Sequence, residues 1–389
     1  MYDPYAPQHF SVTTLALDFD FVFVDEASQC TEAEALIPVS LAKRPSGVVV
    51  LAGDPKQLGP STRSGIFREC GSDSLLERLL LSEMYAGIQP AAAETPGLDP
   101  PPEVHKPFQM GVMLVNNYRS HRALLEVPSR LFYGSALREA TKDRFKVDRF
   151  LQFTQAICEP ISEGGTLSLG DRKGFPAIFY GVEGEHDHLL DSPSFFNVKE
   201  IDAVVELCKR LLFSPDLTSG RLLVSDIGII GAFRAQVLQL RLALRKESLA
   251  GISVGSVEDF QGQEKQVIII STVLCSRPAI LSEKNLGIIN DARRFNVAVT
   301  RGMGLCIVVG SPAYLHHDPF FRAWIENCEL HGRYAGAQCS LYSFHKKEEE
   351  EEGDLLNLAA GIPDLGDDGE DSGVVYDVSV SDQMWRSLL

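Results

Sequence analysis

Two short apolar runs, residues 21–24 (Phe-Val-Phe-Val) and 48–51 (Val-Val-Val-Leu), each stop at a cluster of polar and turn residues. Continuous apolar runs of this length, bounded by turn formers, are how strands buried on both faces of a parallel sheet read. Helix-like material follows each of them, at 32–41 and 74–82. Further on, 111–121 is a strand-like run ending in Tyr118-Arg119, with a helical stretch at 125–132. Residues 148–170 show no sustained period and read as mixed helix and loop. From there strands and helices alternate, with strands at 176–180, 227–231, 253–256, 267–273 and 305–309 and helices at 198–212, 234–246 and 291–301. In 198–212, Val198, Ile201, Val204, Val205, Cys208, Leu211 and Leu212 form one apolar face. This alternation predicts an α/β chain built on parallel sheets with helices on both sides.

Composition divides the chain. Residues 85–107 are rich in Ala, Pro and Gly and read as a surface loop or linker. The expected organisation is therefore the C-terminal part of one α/β domain over 1–84, the linker, a second α/β domain over 108–340, and a disordered tail over 341–389. The tail sets the charge: residues 346–389 hold 13 acidic residues against three basic ones, so ten of the 17 net negative charges lie there. The acidic total thus does not exclude a nucleic-acid partner, because the body is much closer to neutral. No stretch is long and apolar enough to span a membrane, and 1–10 does not resemble a signal peptide, which points to a cytosolic or nuclear protein. The eight cysteines are scattered without a C-x-x-C pair and read as reduced thiols, and His186-x-His188 reads as an exposed loop pair.

The strand ends carry the candidate chemistry. The first apolar run delivers Asp25-Glu26-Ala27-Ser28-Gln29, and the second delivers Gly53-Asp54-Pro55-Lys56-Gln57. Ligands of parallel sheets bind where such strand ends emerge. There Asp25 can hold a magnesium ion, directly or through water, while Glu26 positions and deprotonates a water for attack on a phosphoryl group. Gln57 can sense the terminal phosphate from the neighbouring strand. Taken alone, an Asp-Glu pair after a strand more often caps the next helix or faces solvent. Two further residues, Arg119 and Arg301, offer the permanently charged guanidinium that phosphoryl transfer exploits.

Together these segments resemble superfamily 1 helicases. Asp25-Glu26 and the 53–60 segment (GDPKQLGP) match motifs II and III, and 117–121 (NYRSH) is similar to the tyrosine-arginine element labelled motif IV. Residues 253–272 (SVGSVEDFQGQEKQVIIIST) look like motif V and 293–301 (RRFNVAVTR) like motif VI. Within the family the chain is most similar to the Armitage and Mov-ten group of RNA helicases. The loop sequences carry that likeness: 114–133 (LVNNYRSHRALLEVPSRLFY), 192–197 (SPSFFN), 285–301 (NLGIINDARRFNVAVTR) and 317–336 (HDPFFRAWIENCELHGRYAG).

The resemblance implies two RecA-like parallel-sheet domains, the first incomplete at its N-terminus, and ATP hydrolysis with Mg2+ coupled to 5′-to-3′ translocation on RNA, single-stranded or partly duplex. It implies Asp25, Glu26, Gln57, Arg119 and Arg301 as catalytic residues, with Arg301 as the arginine finger. Tyr118, Gly262 and Glu264 would contact the nucleotide, and Ser256 and Gly231 the nucleic acid. RNA-silencing or decay proteins are the implied partners, and the cytoplasm, its RNA granules or the nucleus the implied location. Three departures matter. Gly231-Ala232-Phe233 stands where the family has Thr-Pro-Tyr, removing hydroxyls that contact the RNA backbone. Gly302 replaces an alanine beside Arg301. No G-x-x-x-x-G-K-[ST] cradle for the phosphates occurs in the 389 residues, so the first strands of the first domain are expected upstream and the chain by itself is expected to bind ATP poorly. Two other readings stay open: a non-catalytic helicase-like module that binds RNA or proteins, and an enzyme of the same kind that acts on DNA.

Overall fold

A computed structural model of the protein describes residues 18–61, 74–82, 85, 111–140, 150, 154, 175–188, 194–213, 222–278 and 286–337. The acidic tail, the linker other than Tyr85, and all of 148–170 except Phe150 and Thr154 lie outside the described residues. The chain divides into two compact units, Met1–Met113 and Leu114–Leu389.

In the first unit, β1 (Phe21–Val24) and β2 (Val48–Leu51) pair in parallel, with Phe21 opposite Val48 and Val24 opposite Leu51. Between them, α1 (Glu32–Val39) starts at a capping box: the Thr31 hydroxyl accepts from the Glu34 N–H, and the Glu34 carboxylate accepts from the Thr31 N–H. A second helix, α2 (Leu75–Leu80), is capped by Ser74, and its Arg78 grips Glu32 of α1 through two 2.7 Å bonds. Val22 and Val24 are buried against Ala27, with Ala42, Val49, Leu51 and Leu76 around them. The expectation that these strands are covered on both sides is corrected here. Phe21 and Phe23 point to the opposite face and are 62% and 72% exposed, because the described residues supply only one layer of cover.

The second unit matches the α/β expectation closely. Among its described elements are β3 (Asn116–Asn117), α3 (Arg122–Phe132), β4 (Arg138–Glu139), β5 (Ala177–Gly181), β6 (Asp187–His188), β7 (Phe195–Phe196) and α4 (Val198–Phe213). They continue with β8 (Ile227–Gly231), α5 (Arg234–Lys246), β9 (Ser253–Gly255), β10 (Lys265–Ser271), α6 (Ala292–Val299) and β11 (Gly302–Gly310). Last come α7 (Pro312–Leu315), α8 (Pro319–Leu330) and β12 (Tyr334–Gly336). Six strands form one sheet in the order β12-β5-β11-β10-β8-β9, and every neighbouring pair is parallel.

The sheet is covered on both faces, as its nearly unbroken apolar strands require. Ile178, Ile229, Ile269 and Ile307 pack with Val204, Cys208 and Leu211 of α4 and Leu240 and Leu244 of α5. Their neighbours Phe179, Ile230, Ile268, Ile270 and Val308 are also fully buried, and alternation along a strand puts them on the other face, with α3, α6 and α8. Each such isoleucine contributes roughly 1.5–3 kcal/mol by leaving water. The strand-like reading of 111–121 is corrected: apart from a single bridging residue at Met113, the segment forms a strand only at Asn116–Asn117, paired with Arg138–Glu139, while Val112 and Leu114 are exposed.

Candidate functional site

Asp25 and Glu26 leave β1 through a sharp turn in which Glu26 takes φ 51, a left-handed conformation that non-glycine residues seldom adopt. Two backbone bonds hold the turn, Ala27 N–H to Ala52 O at 2.8 Å and Gln29 N–H to Glu26 O at 2.9 Å. Both acidic side chains are exposed. The Gln29 amide donates to Glu26 Oε2 at 2.6 Å, and Asp25 Oδ1 accepts from the Glu26 N–H at 3.0 Å. After β2, Asp54 organises the adjoining turn by accepting from Lys56 N–H at 2.9 Å and from the Gln57 side chain at 2.7 Å. The two turns are tied by Asp54 N–H to the buried Ser28 hydroxyl, 3.3 Å. They meet so closely that a Cβ on Gly53 would lie 2.8 Å from Ser28 N and 2.9 Å from Leu76 Cδ2. Glycine is therefore required at this strand end by space.

Exposed carboxylates with an oxygen set like this suit Mg2+, which keeps several waters and takes one or two protein carboxylates alongside phosphate. Among the described residues no group of three or more His, Cys, Asp or Glu side chains converges on a point, so nothing there resembles an all-protein metal cage.

In the second unit, three of the predicted residues converge on the N-terminal edge of the sheet. Asn117 Oδ1 accepts from the N–H groups of both Arg119 (2.9 Å) and Ser120 (2.8 Å), folding this segment into a tight turn. Ser120 Oγ donates to Gly302 O at 2.7 Å and His121 N–H to Met303 O at 3.2 Å, which docks the turn on the first residues of β11. Arg119 Nε then reaches Glu264 Oε2 at 2.7 Å, just ahead of β10. The next residue, Lys265, donates its N–H to Arg301 O at 3.1 Å. Arg119, Glu264 and Arg301 are thus drawn together from three distant segments.

Arg301 is placed differently from its neighbours. It is 3% exposed, and its guanidinium bonds Val297 O at 3.0 Å and Thr300 Oγ1 at 3.1 Å, at the C-terminal end of α6. A cation there complements the unpaired carbonyls and the negative end of the helix. Tyr118, by contrast, is 68% exposed.

Ser256 and Gly231 stand at the opposite, C-terminal edge. Ser256 and Asp259 bond reciprocally, Ser256 N–H to Asp259 Oδ2 at 2.9 Å and Asp259 N–H to Ser256 Oγ at 3.3 Å. Gly231 ends β8, where a Cβ would meet Val237 Cγ2 at 2.9 Å. Gly262 takes φ +72 with open space around it, so it is needed for its backbone and not for room.

Sequence reasoning missed a buried polar cluster at this same edge. Glu200 is fully buried; its carboxylate accepts from the Ser271 hydroxyl at 2.6 Å and from Val273 N–H at 2.9 and 3.0 Å. Burial drives its pKa up to about 7, against the pull of those donors. Gln236 donates to Ser271 Oγ at 2.8 Å and accepts from Asn197 N–H at 2.8 Å. A sequence cue existed: Glu200 precedes Val204, Cys208 and Leu211 at helical spacing, so it lies on the apolar stripe. His186 is also less exposed than expected. Its Nδ1 lies 3.1 Å from Cys275 Sγ, and burial lowers its pKa while raising that of the thiol.

Two family models, both described as AAA domains, match residues 8–65 and 103–313, the second covering more than half of the chain. The protein is 41% identical to RNA helicase Mov10l1 of Homo sapiens over 325 residues, 83% of this chain and 24% of that protein. It is 39% identical to RNA helicase Mov10l1 of Mus musculus over 325 residues, 83% and 25% of the two chains. The match to "Probable RNA helicase armi" of Drosophila melanogaster is 32% over 339 residues, 85% and 26%. The chain thus spans about a quarter of the length of these curated relatives. The solved structure of PRRSV helicase aligns with a TM-score of 0.32 at 11% identity over 75% of this chain and 34% of its own, too slight a likeness to bear on the site. On the family match and these identities, the chain belongs to the AAA-domain helicases of superfamily 1, in the Armitage and Mov-ten group.

Proposed function

We propose that the chain forms part of an ATP-dependent RNA helicase that moves 5′ to 3′ along single-stranded or partly duplex RNA. The observation that carries this reading is the assembly of Arg119, Glu264 and Arg301 at one sheet edge, tied by the 2.7 Å Arg119–Glu264 ion pair and the Lys265–Arg301 backbone bond. A fold needs no such grouping of an exposed cation and anion for stability. Nucleotide chemistry does need positive charge beside a group that can accept from a ribose hydroxyl.

On this reading Glu26, held by Gln29, orients and deprotonates the attacking water, and Gln57, held by Asp54, senses the terminal phosphate. Asp25 offers its carboxylate to Mg2+, which, when bound, neutralises charge on the phosphate oxygens. Arg119 must exchange Glu264 for phosphate, freeing Glu264 for the sugar. Tyr118 and Gly262 flank the nucleotide, and Ser256 and the Gly231 strand end face the RNA backbone. RNA-silencing or decay factors in the cytoplasm, its RNA granules or the nucleus are the partners and settings that fit the group.

The experiment is RNA-stimulated ATP hydrolysis and unwinding by the native full-length polypeptide and its Glu26→Gln variant. Hydrolysis abolished in the variant supports the reading; equal rates refute it. A second reading, a helicase-shaped module that binds RNA or proteins without hydrolysis, draws on the burial of Arg301 against its own helix. RNA binding without nucleotide turnover in the native protein would establish it.

A further inference from the structure

The buried cluster around Glu200 joins three elements at the C-terminal edge of the six-stranded sheet. Asn197 and Glu200 come from the start of α4, Gln236 from the first turn of α5, and Ser271 and Val273 from the end of β10. Val273 is the strained member. It is fully buried, β-branched and at φ 75, a conformation that such residues almost never take unless their surroundings impose it. Both of its backbone groups are held from α4: its N–H by the Glu200 carboxylate, and its carbonyl by Asn197 Nδ2 at 3.2 Å. The same knot fixes the end of β8, because Ala232 N–H donates to Ser271 O at 3.1 Å.

Each of the three tethered segments also carries an exposed cation: Lys199 beside Glu200, Arg234 two residues before Gln236, and Arg277 four residues after Val273. Cations distributed over three segments suit a chain of repeating phosphates better than one compact anion. The exposed Glu183, Glu185 and Asp187 border this group of cations, since a Cβ on Gly184 would lie 3.2 Å from Lys199 Cδ and His186 Nδ1 lies 3.1 Å from Cys275 Sγ.

We propose that Glu200 is a positioning residue for RNA: by holding the left-handed turn at Val273 it sets Lys199, Arg234 and Arg277 against the phosphates of a single strand. This rests on the RNA reading given above. Glu200 itself, being fully buried, touches no RNA; a residue of purely structural importance would lower stability without changing how the folded protein binds.

The test is fluorescence anisotropy of the full chain with a labelled single-stranded RNA of about fifteen nucleotides, across a salt series and well below the melting temperature. Each of Lys199→Ala, Arg234→Ala and Arg277→Ala is expected to weaken binding several-fold and to reduce the salt slope by about one. Glu200→Ala is expected to lose at least tenfold in affinity while the far-ultraviolet circular dichroism stays native. Adding Val273→Gly is expected to recover part of that loss, since glycine takes the left-handed turn without help. Native-like RNA affinity in folded Glu200→Ala, or an unchanged salt slope in all three cation variants, overturns the proposal. If Glu200→Ala does not fold, Glu200→Gln takes its place: it keeps one acceptor and should show a smaller loss of the same kind, and none at all overturns the inference. Absence of RNA binding by the unmutated chain would instead refute the proposed function, and this inference with it.

Discussion

Glu200 makes the stability of the second unit depend on pH in a direction opposite to that of most carboxylates. Its ordinary pKa of 4.5 rises to about 7 on burial. Below pH 4.5 the group is protonated in both folded and unfolded chains. Between there and about 7 the folded chain keeps the proton and the unfolded chain releases it, so stability is lost as pH rises through 7. The gap is worth about 3 kcal/mol at alkaline pH. Glu200→Gln has no such titration. The assay is thermal denaturation of both proteins from pH 5 to pH 8 at constant ionic strength, read as the difference between them. The wild type should lose on the order of 5–10 °C more than the variant over that range. Other titrating groups act in both proteins and cancel in the difference. His186, lowered by burial, destabilises as pH falls through its pKa, and Asp318 is raised mainly by burial. Cys275, whose thiol feels the Glu200 charge, is the neighbour whose titration the substitution would also move. Parallel profiles would refute the reasoning, because they would mean that the carboxylate ionises in the fold as it does in the open chain.

Gly53→Ala should drive its Cβ into Ser28 N and Leu76 Cδ2, cost about 1–3 kcal/mol, and abolish hydrogen-exchange protection at the Ala27 and Ala52 amides; retained protection would show that the two turns part without penalty. Glu264→Gln removes the partner of Arg119, but the pair is half open to solvent and worth less than about 1 kcal/mol, so melting should barely move while nucleotide affinity falls; a large drop in melting temperature would make the pair structural instead. Arg301→Lys keeps the charge yet cannot reach both Val297 O and Thr300, so roughly 2–3 kcal/mol of stability and ATP hydrolysis by the native protein should be lost together. Unaltered melting would contradict the buried placement of that guanidinium.

The parts of the fold legible in the sequence are those whose apolar runs are buried on both sides. Residues 227–231 coincide with β8, and 305–309 lie within β11, because a central parallel strand leaves hardly any polar position to confuse the pattern. The apolar run at 111–115 misled for the opposite reason: Val112 and Leu114 are apolar yet exposed, and pattern alone does not say what a residue packs on. In the site, Asp25-Glu26 was legible as the polar end of an apolar strand, whereas the 117–121 segment was found through the family motif alone, because the apolar pattern reads its Asn117-capped turn as the end of a strand. The burial of Arg301 was not legible, since nothing in RRFNVAVTR distinguishes an arginine that projects from one that folds back on its helix end. Nor was the Glu200 cluster read, although the spacing contained it, because a charged residue in a helix is usually taken for its wet face.

The strand β10 is pinned at both ends, by the Lys265–Arg301 bond where it starts and by Ser271 and Glu200 where it finishes. Seven residues of extended chain make a strut about 20 Å long, and close-packed isoleucines on both sides leave it no room to buckle. The rim that holds Arg119 and Glu264 and the rim that holds Glu200 are therefore two ends of one buried strand.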